Sequence, residues 1–137
     1  AWAATLQDVL PQVDEHTFII GHSLGCVTAL RHLQSLPSGS RVGGLVLVSG
    51  FDCDLENIPE LAEFTTDTIE HDTVRRRAAH IVSIVSDNDD IVDPKWSHDL
   101  AELLGSDVQV VEGGGHFMAW QGFTALPEVH QALRRML

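Results

Sequence analysis

Gly21-His22-Ser23-Leu24-Gly25 is the stretch of this 137-residue chain whose residue types and spacing could do chemistry. It follows the apolar, β-branched run Thr17-Phe18-Ile19-Ile20, which is typical of a strand buried on both faces. A helical pattern comes next, with Val27, Leu30 and Leu33 recurring every three residues. Strand, G-x-S-x-G and helix together form the context of a nucleophile elbow, in which the serine sits in a strained turn with its hydroxyl at the carboxyl end of a sheet. A Cβ at Gly21 or Gly25 is expected to crowd the approach of helix to strand. Alone the pentapeptide is a weak signal, because an ordinary Gly/Ser turn has the same form.

A serine hydroxyl is a poor nucleophile unless a neighbouring base takes its proton, and an acid must hold that base in one tautomer. Two further loops supply both. Ser86-Asp87-Asn88-Asp89-Asp90 follows the apolar run Ile81-Val82-Ser83-Ile84-Val85, and Gly113-Gly114-Gly115-His116 follows the run from Val108 to Val111. In a parallel sheet every strand delivers its following loop to the same edge, and Ser, Asp, His is the chain order this elbow uses. His116 is the candidate base, with glycines before it that let its loop turn sharply. Among the carboxylates, Asp93 precedes Pro94 and has the default role of helix N-cap. Asp87 stands where the chain is still leaving the sheet. Asp89 and Asp90 remain. The spacing Ser86, Asp89, Val92 favours Asp89, held at the rim while Ile91 and Val92 pack back, with Asp90 as the alternative. His22 is expected to pack or bond locally rather than catalyse. His16, His32, His71, His80, His98 and His130 show no metal-ligand spacing and count as surface or core residues.

The elements that must position these residues alternate along the chain. Trp2, Leu6, Val9 and Leu10 have the spacing of an amphipathic helix that Pro11 closes. The elbow strand and helix follow, and Pro37-Ser38-Gly39-Ser40 ends that helix. Gly44 to Ser49 is a second buried strand. From Phe51 to Ala79 the chain is acidic with scattered apolar residues (Leu55, Ile58, Leu61, Phe64, Ile69, Val74), which suggests two short helices. These form either a small helical insertion over the site or an ordinary crossover connection. Trp96, Leu100, Leu103 and Leu104 are expected on one face of the helix after Pro94, and Leu126, Val129, Leu133 and Met136 mark the last helix. Strands alternating with helices predict one α/β domain over 1–137, a parallel sheet covered on both faces.

Composition narrows the partners. A net charge of −12 and a pI near 4.8 argue against nucleic acid or an anionic membrane, both of which need clustered cations. Arg75-Arg76-Arg77 and Arg134-Arg135 suit helix faces or C-termini. Cys26 and Cys53 are too few for a disulfide scaffold and form no C-x-x-C, which points to a reducing, cytoplasmic setting, with Cys26 a packing residue. No G-x-G-x-x-G follows a strand, so a dinucleotide site is disfavoured. No cofactor or metal is implied.

GHSLGC after TFII, the LVLVSGF strand end, SDNDDIV and the GGGHF loop resemble the small α/β-hydrolases of the retinoblastoma-binding-protein-9 and bacterial YdeN type. The likeness extends to Glu63–Thr65 and to GFTALP at Gly122–Pro127. It implies a three-layer α/β-hydrolase-type sheet and a serine hydrolase with Ser23 as nucleophile, Asp89 as acid and His116 as base. The expected activity is that of a carboxylesterase on a small-molecule ester. Asp93-Pro94 departs from the usual pattern, in which proline directly follows the valine. Family members also begin with a further strand, a His-Gly loop, and another strand and helix, whereas this chain starts inside the helix before the elbow strand. That front supplies one oxyanion donor, and the backbone N–H of Leu24 supplies the other. Without it the elbow strand is expected to be an exposed edge, open to self-association or to a companion chain. The rival from another class is a non-catalytic protein-interaction module on a hydrolase fold.

Overall fold

The computed structural model of the chain describes residues 2–65, 68–123 and 125–137, with the side chains of Trp2, Ala3 and Phe64 outside the described part. The core contacts expected of Trp2 and Phe64, and the Thr124 position of the GFTALP stretch, therefore lie outside the described residues. In chain order the elements are α1 (Trp2–Val9), β1 (Phe18–His22), α2 (Leu24–Ser35), β2 (Gly44–Val48), a short 3-10 helix (Pro59–Phe64) and α3 (His71–Arg76). They continue as β3 (Ile81–Ser86), α4 (Pro94–Leu104), β4 (Asp107–Val111), a single 3-10 turn (Ala119–Gln121) and α5 (Pro127–Met136). The four strands are parallel and lie in the order β1-β2-β3-β4.

β2 explains the layering. All five of its residues are buried, and successive side chains point to opposite faces. Leu45 and Leu47 join Leu30, Leu33, Val74, Leu100 and Leu104 in the cluster that carries α2, α3 and α4. Val46 and Val48 join Phe117, Ala132 and partly buried Leu133 and Met136 in the cluster under α5. The fold is thus the expected three-layer α/β arrangement, with helices on both faces of a parallel sheet. Val42 outside β2 pairs with Ala78, so the segment from 51 to 79 returns the chain to the sheet beside β2. Its first half does more. Phe51 and Leu55 are buried with Val27 and Val92, and Leu24, Ile58, Leu61, Ile91 and Trp96 pack against them. This apolar cluster spans the start of α2 and the turn before α4.

Three apolar expectations change in three dimensions. β1 runs from Phe18 to His22 rather than Thr17 to Ile20, and Ile20 is 51% exposed. β1 is an edge strand, and α5 packs on β2 and β3, so the α5 face of β1 is uncovered. Val9 is 75% exposed although its spacing matches the amphipathic stripe of α1. Leu103 is 50% exposed, because α4 seats Ser97, Leu100, Ala101 and Leu104, and Leu103 lies about 100° round the helix from Leu104. The arginine runs behave as expected: Arg75 and Arg76 close α3, and Arg134 and Arg135 close α5. No helix among the described residues is long and apolar enough to cross a membrane.

Candidate active site

The carboxyl ends of β1, β3 and β4 carry the candidate residues. Ser23 follows β1 with φ 55° and ψ −120°, a left-handed conformation that a residue with a Cβ adopts only under constraint. The constraint is visible. Ser23 N–H donates to the Val48 carbonyl (2.9 Å), and the Ser23 carbonyl accepts from Cys26 N–H (2.9 Å), so the turn is fixed to β2 on one side and to α2 on the other. A Cβ at Gly21 would lie 2.9 Å from the Cys26 backbone and from the Gly25 carbonyl, which explains the first glycine. The second glycine is not explained in this way: a Cβ at Gly25 meets nothing within 4 Å, so the expected crowding there is absent. Leu24 is the first residue of α2, and its N–H has no acceptor within the helix. Cys26 is fully buried and its thiol is pushed up to about 12 by burial, in keeping with a packing role.

The loops after β3 and β4 are stitched together by three successive side chains. Asp87 Oδ1 accepts from Gly113 N–H (2.8 Å), Asn88 Oδ1 from Gly115 N–H (2.7 Å), and Asp89 Oδ2 from His116 Nδ1–H (2.8 Å). A carboxylate only accepts, so His116 carries its proton on Nδ1, leaving Nε2 as the basic nitrogen. Both partners are buried, with 5% of the His116 side chain and 2% of the Asp89 side chain exposed. Asp89 is therefore buried rather than at the rim. Its Oδ1 also accepts from Ile91 N–H and Val92 N–H, each at 2.9 Å. Burial alone would raise the Asp89 pKa, but the bond from His116 and the two backbone N–H groups outweigh it and hold the carboxyl below its ordinary value. Asp90 is exposed and makes no hydrogen bond among the described residues, and Asp93 caps α4 by accepting from Lys95 N–H (2.9 Å). Between the two open alternatives, the carboxylate that meets His116 is Asp89.

Gly113 (φ 70°) and Gly115 (φ 55°) allow the turn that delivers His116. Gln121 then holds the loop from below: its Oε1 accepts from His116 N–H (2.9 Å) and Met118 N–H (3.1 Å). Sequence reasoning missed Gln121, since a glutamine five residues past a histidine carries no signal of its own. It also missed the reach of His22. That side chain does not bond locally; its Nε2–H donates to the His116 carbonyl (2.8 Å), and the two rings lie 4.9 Å apart at 36°. Partial desolvation lowers the His22 pKa, with the bond to the His116 carbonyl opposing. Ser23 Oγ itself makes no hydrogen bond to His116 among the described residues. The link between elbow and base passes through its neighbour.

The remaining histidines stay outside this arrangement. His71 pairs with Asp52 (2.6 Å) on the segment after β2, and His32 is buried with neither ring nitrogen hydrogen-bonded among the described residues. Among the described residues no three His, Cys, Asp or Glu side chains converge as metal ligands.

A model of the serine hydrolase family matches residues 1–135. YdeN of Bacillus subtilis is 38% identical over 132 residues, which make up 96% of this chain and 70% of YdeN. The crystal structure of the ydeN gene product superposes with a TM-score of 0.89 at 36% identity, over 97% of this chain and 70% of that one. The serine hydrolase RBBP9 of Rattus norvegicus is 29% identical over 105 residues, covering 76% of this chain and 54% of the relative. A YdeN-like hydrolase from Pectobacterium atrosepticum has the same fold, with a TM-score of 0.71 at 19% identity over 98% of this chain and 66% of that one.

Proposed function

The chain belongs to the serine hydrolase family, and from that premise we propose that it is a carboxylesterase that cleaves small acyl esters through Ser23, His116 and Asp89. The observation that carries this reading is the buried bond from His116 Nδ1–H to Asp89 Oδ2, which leaves Nε2 basic on a ring 4.9 Å from that of His22, the residue before the strained serine. Ser23 Oγ attacks the ester carbonyl carbon while His116 Nε2 takes the hydroxyl proton. Asp89 stays ionised and stabilises the imidazolium. The Leu24 N–H, at the positive end of the twelve-residue α2, donates to the oxyanion of the tetrahedral intermediate. Collapse breaks the C–O bond, and Nε2–H protonates the departing alkoxide to leave an acyl-Ser23 ester. Water then attacks that ester with His116 as base, releasing the carboxylic acid and restoring Ser23.

The segment from Phe51 to Leu61, packed against Leu24 and Ile91, forms the wall that selects the acyl or alcohol group in this proposal. A cytoplasmic setting fits the two free thiols, Cys26 and Cys53. A fluorophosphonate probe together with p-nitrophenyl acetate tests the reading. Stoichiometric labelling at Ser23 and hydrolysis that vanishes in Ser23→Ala are expected. Neither would occur if the chain were a non-catalytic interaction module.

A further inference from the structure

We infer that His22, the residue before the nucleophile, is a positioning residue that ties the base loop to the elbow and sets the distance between them. The sheet order creates the need. β1 and β4 are the two outer strands of β1-β2-β3-β4, so the turn after β1 and the loop after β4 start about 14 Å apart at ordinary strand spacing. The His116 loop must cross the ends of β2 and β3 to reach Ser23. Its other polar ties all lie on its own side: Asp87, Asn88 and Asp89 belong to the β3 loop, and Gln121 to the segment that follows His116. Among the described residues, the side-chain hydrogen bond that joins the loop to the elbow is His22 Nε2–H to the His116 carbonyl, at 2.8 Å across 94 residues of sequence.

The chemistry of this contact defines the role. A carbonyl only accepts, so the His22 proton sits on Nε2 and is committed to the bond. His22 Nε2 is therefore not a second base. The His116 backbone is now held at both ends, N–H by Gln121 and C=O by His22, and the tilted ring contact at 4.9 Å limits sideways swing of the His116 imidazole. The His22 side chain is exposed, so packing of the core does not require it. Its position in the turn fixes one end of the tie to the same backbone that presents Ser23.

The kinetic part of this inference rests on the esterase reading, and the test separates the two. His22→Phe keeps a ring and removes the donor; His22→Gln removes the imidazole but places an amide N–H the same number of bonds from Cβ. His22→Phe is expected to lower kcat with p-nitrophenyl acetate about tenfold, with KM unchanged within about twofold, and to slow fluorophosphonate labelling of Ser23 in proportion. His22→Gln should regain most of both. The downfield proton resonance of His116 Nδ1–H should stay sharp in wild type and His22→Gln and broaden in His22→Phe. Wild-type kcat and a sharp resonance in His22→Phe would overturn the inference, as would equal impairment in His22→Gln. If His22→Phe does not melt cooperatively, His22→Ala against His22→Gln compares the same donor. If the wild type neither labels nor hydrolyses, the esterase reading falls, and the resonance still decides whether His22 positions His116.

Discussion

Replacing Asp89 with asparagine tests the acid assignment most sharply, because the structure predicts how the new amide will turn. Asp89 Oδ1 accepts two backbone N–H groups, from Ile91 and Val92, while Oδ2 accepts one ring N–H, from His116. An asparagine has one oxygen and one NH2. If the oxygen keeps the two backbone bonds, the NH2 faces His116 Nδ1, which must lose its proton and move it to Nε2, so the base is lost. The productive orientation instead aims the NH2 at the part-buried Ile91 and buried Val92 N–H donors, leaving both unsatisfied at about 1–3 kcal/mol each. The wrong tautomer is therefore favoured by about 2–6 kcal/mol, a fall of roughly 30-fold to 10⁴-fold in the competent population at about 1.4 kcal/mol per decade. The upper part of this range matches the fall of about 10⁴ known for the equivalent change in a serine protease. In contrast, Asp90 is exposed and has no bond among the described residues, and Asp90→Asn should stay within about twofold of wild type. Initial rates on p-nitrophenyl acetate, with circular dichroism to check folding, measure both. If Asp89→Asn kept more than a tenth of wild-type kcat, or if Asp90→Asn lost as much as Asp89→Asn, the assignment would fail.

Ser23→Ala and His116→Ala should each cut ester hydrolysis by at least about 10³-fold without unfolding the protein, and Ser23→Ala should also abolish fluorophosphonate labelling; residual labelling elsewhere would displace Ser23 as nucleophile. The elbow glycines should differ. Gly21→Ala forces a Cβ into the backbone of Gly25 and Cys26 and should cost about 1–3 kcal/mol with loss of labelling, whereas Gly25→Ala meets open space inside α2 and should be neutral or slightly stabilising in melts. His32 is buried, and burial lowers its pKa, opposed in part by the Leu10 backbone. The folded state then binds this proton less readily than the unfolded chain, so stability should fall as pH drops through about 6.5. His32→Leu should remove that part of the loss in denaturant melts at pH 7.5 and pH 5; an unchanged pH dependence would exclude His32 as its source. The free edge of β1, with Ile20 exposed, should lead the chain to self-associate in light scattering. A stable monomer in the same measurement would argue against this.

Much of the fold and part of the site are set by local sequence. Gly44 to Val48 is nearly all apolar because both of its faces are covered, and Phe18 to His22 leads into a turn whose first glycine is forced by contact with Cys26. Asp93 before Pro94 identifies a cap from two adjacent residues, and the capping bond to Lys95 N–H forms. Such features depend on periods of two and 3.6 residues or on neighbours in the chain, so a single sequence contains them. Other features depend on how loops converge. Asp89 and Asp90 are adjacent and chemically alike; spacing favours Asp89, and the turn that aims it at Ile91, Val92 and His116 decides between them. Val9 and Leu103 have the spacing of buried residues, but burial is decided by which neighbouring elements cover each face. His22 has the appearance of a local turn residue and instead holds a carbonyl 94 positions away. Periodicity tells a strand from a helix, but it carries no information on which loop crosses the sheet to meet which. That meeting is decided by sheet order and side-chain reach, and here it joins the serine turn to its base.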